Sequence, residues 1–383
     1  VLSLLGGAMR EIPYAHGSRT DARAVVHFSC PACVCPVAFV QRCCYSCAAF
    51  SISWLGSTAS GRASPPRSPP DAELRFPKHR IEESVTIPPV GSPRLSIIIP
   101  TRDRPQLLPL AVKSALEQTM ADLEVVVVDD GSTEPVDLHE GPRLRVIRLP
   151  VTRGSSAARN VGARAAKGHW ITHLDDDDQL SPHFADVSLN ALAHTALPKP
   201  VAVLSGLEVV NEQGRVFQTH LPPTLPRGSH FGLEKIDPRL SFWSKNTLVV
   251  EREVLMAIGG FDESLTSLQY TDLLLRLNWE CSILGVPVLT YRVFLHSGPQ
   301  LSRDSERRRA NFDRLLKKHE VFLRAHPSML ATLVLRQAYA MYNLGQHREA
   351  FMGMCKGMRL HPRHGAGKIG AFVWRKLLRG EGP

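Results

Sequence analysis

Leu95-Ser96-Ile97-Ile98-Ile99-Pro100 and, one helical segment later, Glu124-Val125-Val126-Val127-Val128-Asp129-Asp130-Gly131-Ser132 decide the fold. Each is a short, almost continuous apolar run, the pattern of a strand buried on both faces of a sheet. Pro100 stops the first run, and the turn beginning at Asp129 halts the second. Between them Leu107, Leu110, Ala111, Ser114 and Ala115 recur at helical spacing over residues 106–118. Further along, residues 144–149 read as a third strand and residues 155–166 as an Ala-rich helix. Residues 169–174 read as a fourth strand that runs into Asp175-Asp176-Asp177-Asp178. Strand, helix, strand, strand, helix, strand predicts an α/β domain with a mainly parallel sheet.

Residues 200–299 are mixed, with strand-like 201–204 and 247–250, a Gly259-Gly260 turn and a helix over 271–278. Beyond Gln300 the pattern is helical, in amphipathic stretches over 330–344, 346–360 and 369–378. One tetratricopeptide-like hairpin or a plain helical bundle would account for them, the bundle slightly better. Upstream, residues 57–93 are rich in Ser, Pro and Arg, a composition that suits a solvated linker. Six of the eight cysteines fall between Cys30 and Cys47, including two C-x2-C pairs. A thiolate metal site is one reading. A segment without a stable fold is the better one, since ten residues between the pairs and two spare cysteines fit no common zinc pattern. The expected organisation is therefore 1–93 disordered, 94–300 an α/β domain and 301–383 a basic helical tail.

The 383 residues carry a formal charge of +10, and residues 301–383 hold 17 Lys/Arg against 6 Asp/Glu. Basicity thus belongs to the tail. Cationic helices could rest on anionic lipid, form ordinary surface or contact nucleic acid, although no nucleic-acid module is recognisable. No run of 18 uncharged apolar residues exists, so a spanning helix is not expected. A cytoplasmic chain, peripheral to the inner membrane face through its tail, is the expectation.

Two strands end in carboxylates, on the rim where parallel α/β sheets gather ligands. Four consecutive carboxylates repel one another unless a cation or hydrogen bonds offset their charge. A hard divalent ion shared between Asp177 and a diphosphate would do so. Gly154-Ser155 opens the second helix, with Ser155 as a cap and free N–H groups for an anion, and Arg159 follows one turn in. Neither a Walker A loop nor G-x-G-x-x-G is present.

Taken in order, Ser96–Arg104, Val126–Ser132, Gly154-x4-Arg159-Asn160-x-Gly162, Leu174–Asp178 and Gly259-Gly260-Phe261-Asp262-Glu263 resemble the family 2 glycosyltransferases of GT-A fold, over about residues 94–300. The resemblance implies a Rossmann-like sheet with helices on both faces. It also implies transfer, inverting, of a sugar from a nucleotide-diphospho-sugar to a hydroxyl on a glycan or lipid-linked acceptor in surface-polysaccharide or glycoconjugate synthesis. By the same resemblance Pro100, Thr101 and Asp103 line the nucleoside pocket and Asp130 or Asp129 bonds the base. Arg159 stands beside the acidic motif, and Asp175-Asp176-Asp177 is the D-x-D element, with Asp175 towards the ribose and Asp177 on Mn²⁺ or Mg²⁺. His296 matches a position that adds a metal or phosphate contact in some relatives; a plain surface histidine is an equal reading.

One motif departs from the family. Where relatives carry Glu-Asp-x-Asp, this chain has Gln269-Tyr270-Thr271-Asp272, so Tyr270 occupies the position of the general base. A phenol of pKa about 10 is a poor base near neutrality. Asp272 is the nearest carboxylate and the candidate base, the alternative role for it being a favourable charge in a first helical turn. A nucleotide-sugar-binding or scaffold protein that has lost turnover is the second functional reading.

Overall fold

Both apolar runs are strands, β1 (Leu95–Thr101) and β2 (Leu123–Asp129), with every residue buried. The structure, a computed structural model, describes residues 92–211, 213–229, 240–295 and 304–379, all within the unit Pro70–Pro383. The cysteine cluster, the linker and His296 lie outside the described residues. β1 runs on through Pro100 to Thr101, correcting the expectation that Pro100 ends it. Pairing of β1 with β4 (Trp170–His173) stops at Ile98 opposite His173, so the N–H that Pro100 lacks faces no partner strand. On the other side the Thr101 carbonyl still accepts from the Asp130 N–H at 2.9 Å.

β3 (Leu144–Arg148), β2, β1 and β4 lie side by side and parallel. The sheet continues through β8 (Val249–Glu251), β6 (Val201–Val210), β9 (Ser282–Phe294) and β5 (Gln179–Leu180), while β7 (Val216–His220) pairs with β6. β8 is antiparallel to β4, which makes the sheet mixed beyond that point. The long β9 escapes a reading by periodicity. Its middle is half-buried at Gly285 and exposed from Pro287 to Leu289, and its pairing with β6 shifts register at Gly206.

Alternation along β1 and β2 feeds two cores, which is why both runs are apolar throughout. Ile97, Ile99, Val125 and Val127 face α1 (Leu108–Leu116) and α3 (Phe184–His194). Ile98, Val126 and Val128 face α2 (Ser155–Ala165) and, further along the same core, α5 (Gln269–Glu280). Glu124, a lone carboxylate in this setting, is held by Ser96 Oγ at 2.6 Å, the Lys167 N–H and Arg145. α2 approaches β1 so closely that a Cβ on Gly162 would lie 2.4 Å from Ile98 Cγ2. Gly162→Val is therefore expected to destabilise the fold by about 2 kcal/mol through overpacking, measured by urea unfolding.

After α4 (Arg252–Ala257) and α5, the tail folds as α6 (Ser305–Lys318), α7 (Glu320–Ala325), α8 (Pro327–Asn343), α9 (His347–Leu360) and α10 (Pro362–Arg379). These helices do not stand apart. Phe312, Leu315, Phe322, Leu323 and Met329 belong to the same core as Leu273 and Leu277 of α5. Among the described residues no helix is long and apolar enough to cross a membrane.

Candidate functional site

The C-terminal ends of β1, β2 and β4 bring the acidic motifs to one rim, where two arginines meet them. Arg104 Nη1 donates to Asp176 Oδ1 at 2.8 Å and to Asp177 Oδ2 at 2.7 Å. Thr101 Oγ1 donates to Asp176 Oδ2 at 2.7 Å. Burial raises the Asp176 pKa, opposed by Arg104 and the Thr101 bond. Asp175 accepts from Arg159 Nη2 at 2.5 Å and from Asn246 Nδ2 at 3.2 Å. Asn246 sits in a short 3-10 helix, Phe242–Thr247, that sequence patterning does not reveal.

Arg159 is buried, with its guanidinium 5.5 Å from the ring centroids of both Phe261 and Tyr270. Burial works against its charge, but Asp175, with Tyr270 and Tyr291, more than offsets that and raises its pKa. Among the described residues its Nε and Nη1 have no hydrogen-bond partner. His173, beneath it in β4, is pushed down to about 3 by burial and by Arg159, and so is neutral. The fourth aspartate turns inward: Asp178 accepts from Tyr291 Oη at 3.0 Å and from the Phe294 N–H at 3.2 Å. Burial and then Asp175 and Asp177 raise its pKa well above the ordinary value.

Other expected site residues have different work. Asp129 is fully buried and accepts from the Ser132 N–H at 2.8 Å and from Arg148, shaping its own turn. Asp130, 4% exposed, accepts from the Arg153 N–H, Thr152 Oγ1 and the Gly154 N–H. Both carboxylates thus order the loops around them as well as standing at the position expected to meet a base. Asp103 remains at the surface. Its φ is +52°, and its Oδ1 accepts from the Thr133 N–H, the main cause of its lowered pKa. Pro100 and Thr101 are buried at the end of β1. Ser155 is not a cap: Gly154, at φ +90°, holds that position, and Ser155 Oγ accepts from Gln269 Nε2 at 2.9 Å.

The largest correction concerns Asp272. It lies in the first turn of α5, is fully buried, and pairs with Arg276 (Nη2, 2.8 Å), Lys318 (Nζ, 2.9 Å) and His319 (Nε2, 2.8 Å). Although burial alone would raise its pKa, these partners drive it far below the usual carboxylate range. A carboxylate so engaged is a weak base, and its partners tie α5 to α6 and the start of α7. Tyr270 beside it is buried, and burial raises its pKa, so it offers no base either.

Oxygen donors on a rim suit a hard cation, and Asp175 and Asp177 retain partial exposure, 26% and 19% of their side chains. Among the described residues no group of three or more His, Cys, Asp or Glu side chains is arranged to hold a metal ion. A divalent ion resting on one or two carboxylates and completed by substrate phosphates does not need such a group. Sequence reasoning missed Arg104, although it stands inside the Thr101–Arg104 motif. It also missed Asn246 and Tyr291.

The glycosyl transferase family 2 model matches residues 96–224. An uncharacterized glycosyltransferase of Haemophilus influenzae is 30% identical over 232 residues, 59% of this chain and 77% of that protein. A putative colanic acid biosynthesis glycosyl transferase of Escherichia coli is 36% identical over 105 residues, 26% of this chain and 38% of that protein. The crystal structure of Staphylococcus aureus TarS 1–349 in complex with UDP-GlcNAc aligns over 72% of this chain and 83% of that one, at 18% identity and a TM-score of 0.48.

Proposed function

Given that the chain belongs to glycosyl transferase family 2 and is a GT-A enzyme, we propose that it moves a sugar from a nucleotide-diphospho-sugar to an acceptor hydroxyl, with inversion, in surface-polysaccharide synthesis. The observation that supports this most is the rim of Asp175, Asp176 and Asp177 at the end of β4, met by Arg104 and Arg159. Oxygen ligands gathered on such a rim suit a hard cation arriving with a diphosphate. Asp177 would hold Mn²⁺ or Mg²⁺, with Asp175 towards the ribose. When bound, the metal supplies Lewis-acid stabilisation of the departing diphosphate. The chain's own part is to keep Asp175 oriented through Arg159 and Asn246, and Asp176 through Thr101 and Arg104. Asp103, Pro100 and Thr101 would border the nucleoside.

In Mn²⁺, Asp177→Ala is expected to weaken UDP- or GDP-sugar binding at least tenfold, about 1.4 kcal/mol, by calorimetry across a donor panel. Unchanged affinity for every donor would refute the metal role. The second reading, donor binding without turnover, draws support from the engagement of Asp272 and the burial of Tyr270. Product formation that Asp177→Ala abolishes would eliminate it.

Peripheral membrane contact belongs to the same proposal. Phe351, Met352 and Met358 are exposed on α9 near Lys356 and Arg359, an arrangement suited to an anionic lipid surface. Phe351→Ser with Met352→Ser is expected to release the protein from anionic vesicles in a sedimentation assay. Equal sedimentation would dismiss the contact.

A further inference from the structure

Three cations from separate elements come together beside the rim and, among the described residues, pair with no acid. Lys245 comes from the 3-10 helix, Arg308 from α6 and Arg336 from α8. All three are half-buried. Lys245 Nζ donates to Thr271 Oγ1 at 2.7 Å, and Arg308 Nε donates to Gln337 Oε1 at 3.2 Å. Among the described residues none of the three forms an ion pair with a carboxylate. Gln337, 8% exposed, has its Nε2 buried without a partner, a donor left over at the same place.

The electrostatics agree with this geometry. Burial, then Arg336 and Arg308, push the Lys245 pKa well below the lysine range. Burial and Arg308 lower that of Arg336, and burial lowers that of Arg308. Like charges gathered in a half-buried position cost stability unless an anion joins them. The location bears on which anion. Lys245 directly precedes Asn246, which holds Asp175, and Thr271 directly follows Tyr270, which lies against Arg159. The cluster therefore neighbours the donor rim without sharing its carboxylates.

We infer that Lys245, Arg308, Arg336 and the free Nε2 of Gln337 form an oxyanion subsite that receives a phosphate or carboxylate group of the acceptor. This rests on the donor-site reading above and names the acceptor class: an anionic glycan or a phosphate-bearing lipid-linked sugar. Guanidinium forks suit either oxyanion, and the tail helices α6 and α8 then act as part of the acceptor site.

The test uses the full chain with inorganic phosphate and glycerol phosphate as probes, each titrated with and without saturating UDP and Mn²⁺. Thermal stabilisation and calorimetry are the readouts. The wild type is expected to bind both probes with UDP present, more weakly as salt rises. Arg308→Gln combined with Arg336→Gln should lose at least tenfold in probe affinity while UDP affinity stays within twofold. The single variant Arg336→Gln, freed of its repulsion, should melt no lower than the parent; a lower melting point would mark Arg336 as merely structural and overturn the subsite. Equal probe affinity in the double variant, or no probe binding by the wild type, would also overturn it. Joint loss of UDP and phosphate would overturn the acceptor assignment, placing the donor's own diphosphate there. Wild-type protein that binds phosphate but not UDP would support the subsite and count only against the donor reading.

Discussion

Arg159→Met is expected to destabilise the protein by about 3 kcal/mol in urea unfolding near neutral pH and to abolish sugar transfer. Arg159 is the buried counter-charge of Asp175, and its side chain is only 7% exposed. Removing one member of a buried ion pair leaves the other uncompensated, a penalty of about 3–5 kcal/mol. The lower end applies because Asp175 keeps its bond from Asn246 and retains contact with water. Methionine fills much of the volume between Phe261 and Tyr270, so the loss reports charge rather than a cavity. Arg159→Lys separates the components further. It restores a charge but not the planar group that reaches both rings and Asp175, and should recover part of the stability and little of the activity. A variant as stable as the parent would show that Asp175 does not depend on Arg159.

The parallel half of the sheet was legible because its strands are buried on two faces and so lose the ambiguity of alternation. Leu95–Thr101 and Leu123–Asp129 appear in the chain as solid apolar blocks. β9 was not legible: its residues pass from core to surface and back, and Gly285 and Pro287 mimic a turn. The acidic rim could be found from Asp175–Asp178 following a core strand, yet the roles within it could not. Asp178 faces inward only because Tyr291, 113 positions away, meets it there. Asp129 and Asp130 look equally exposed in a D-D-G-S turn, and only the return of the chain at Thr152–Gly154 buries Asp130 and gives it donors. The same limit hid the cation cluster, since Lys245, Arg308 and Arg336 share no local pattern.

Asp272→Asn distinguishes a base from a structural anchor. Were Asp272 the base, the amide would remove turnover and leave folding intact. Its surroundings call for the opposite emphasis: Arg276, Lys318 and His319 all converge on one fully buried carboxylate, joining α5 to α6 and to the start of α7. Asparagine can still accept a hydrogen bond, but it leaves this positive charge unanswered, at a cost of about 3 kcal/mol or more. Lys318 can fall back on Asp262 at 2.6 Å, and Arg276 on the carbonyls of Ile258 and Gly260, so the fold should loosen at the α5–α6 junction first. Hydrogen exchange localised to those helices would report it. The acid limb gives an independent check. A carboxyl whose folded pKa lies below its unfolded value, about 3.9, contributes fully above that value and loses the contribution as pH falls towards the folded one. Wild-type stability should therefore decline below about pH 4, and the gap between wild type and Asp272→Asn should narrow over the same range. An unchanged gap down to pH 3 would mean that the carboxylate does not anchor the tail.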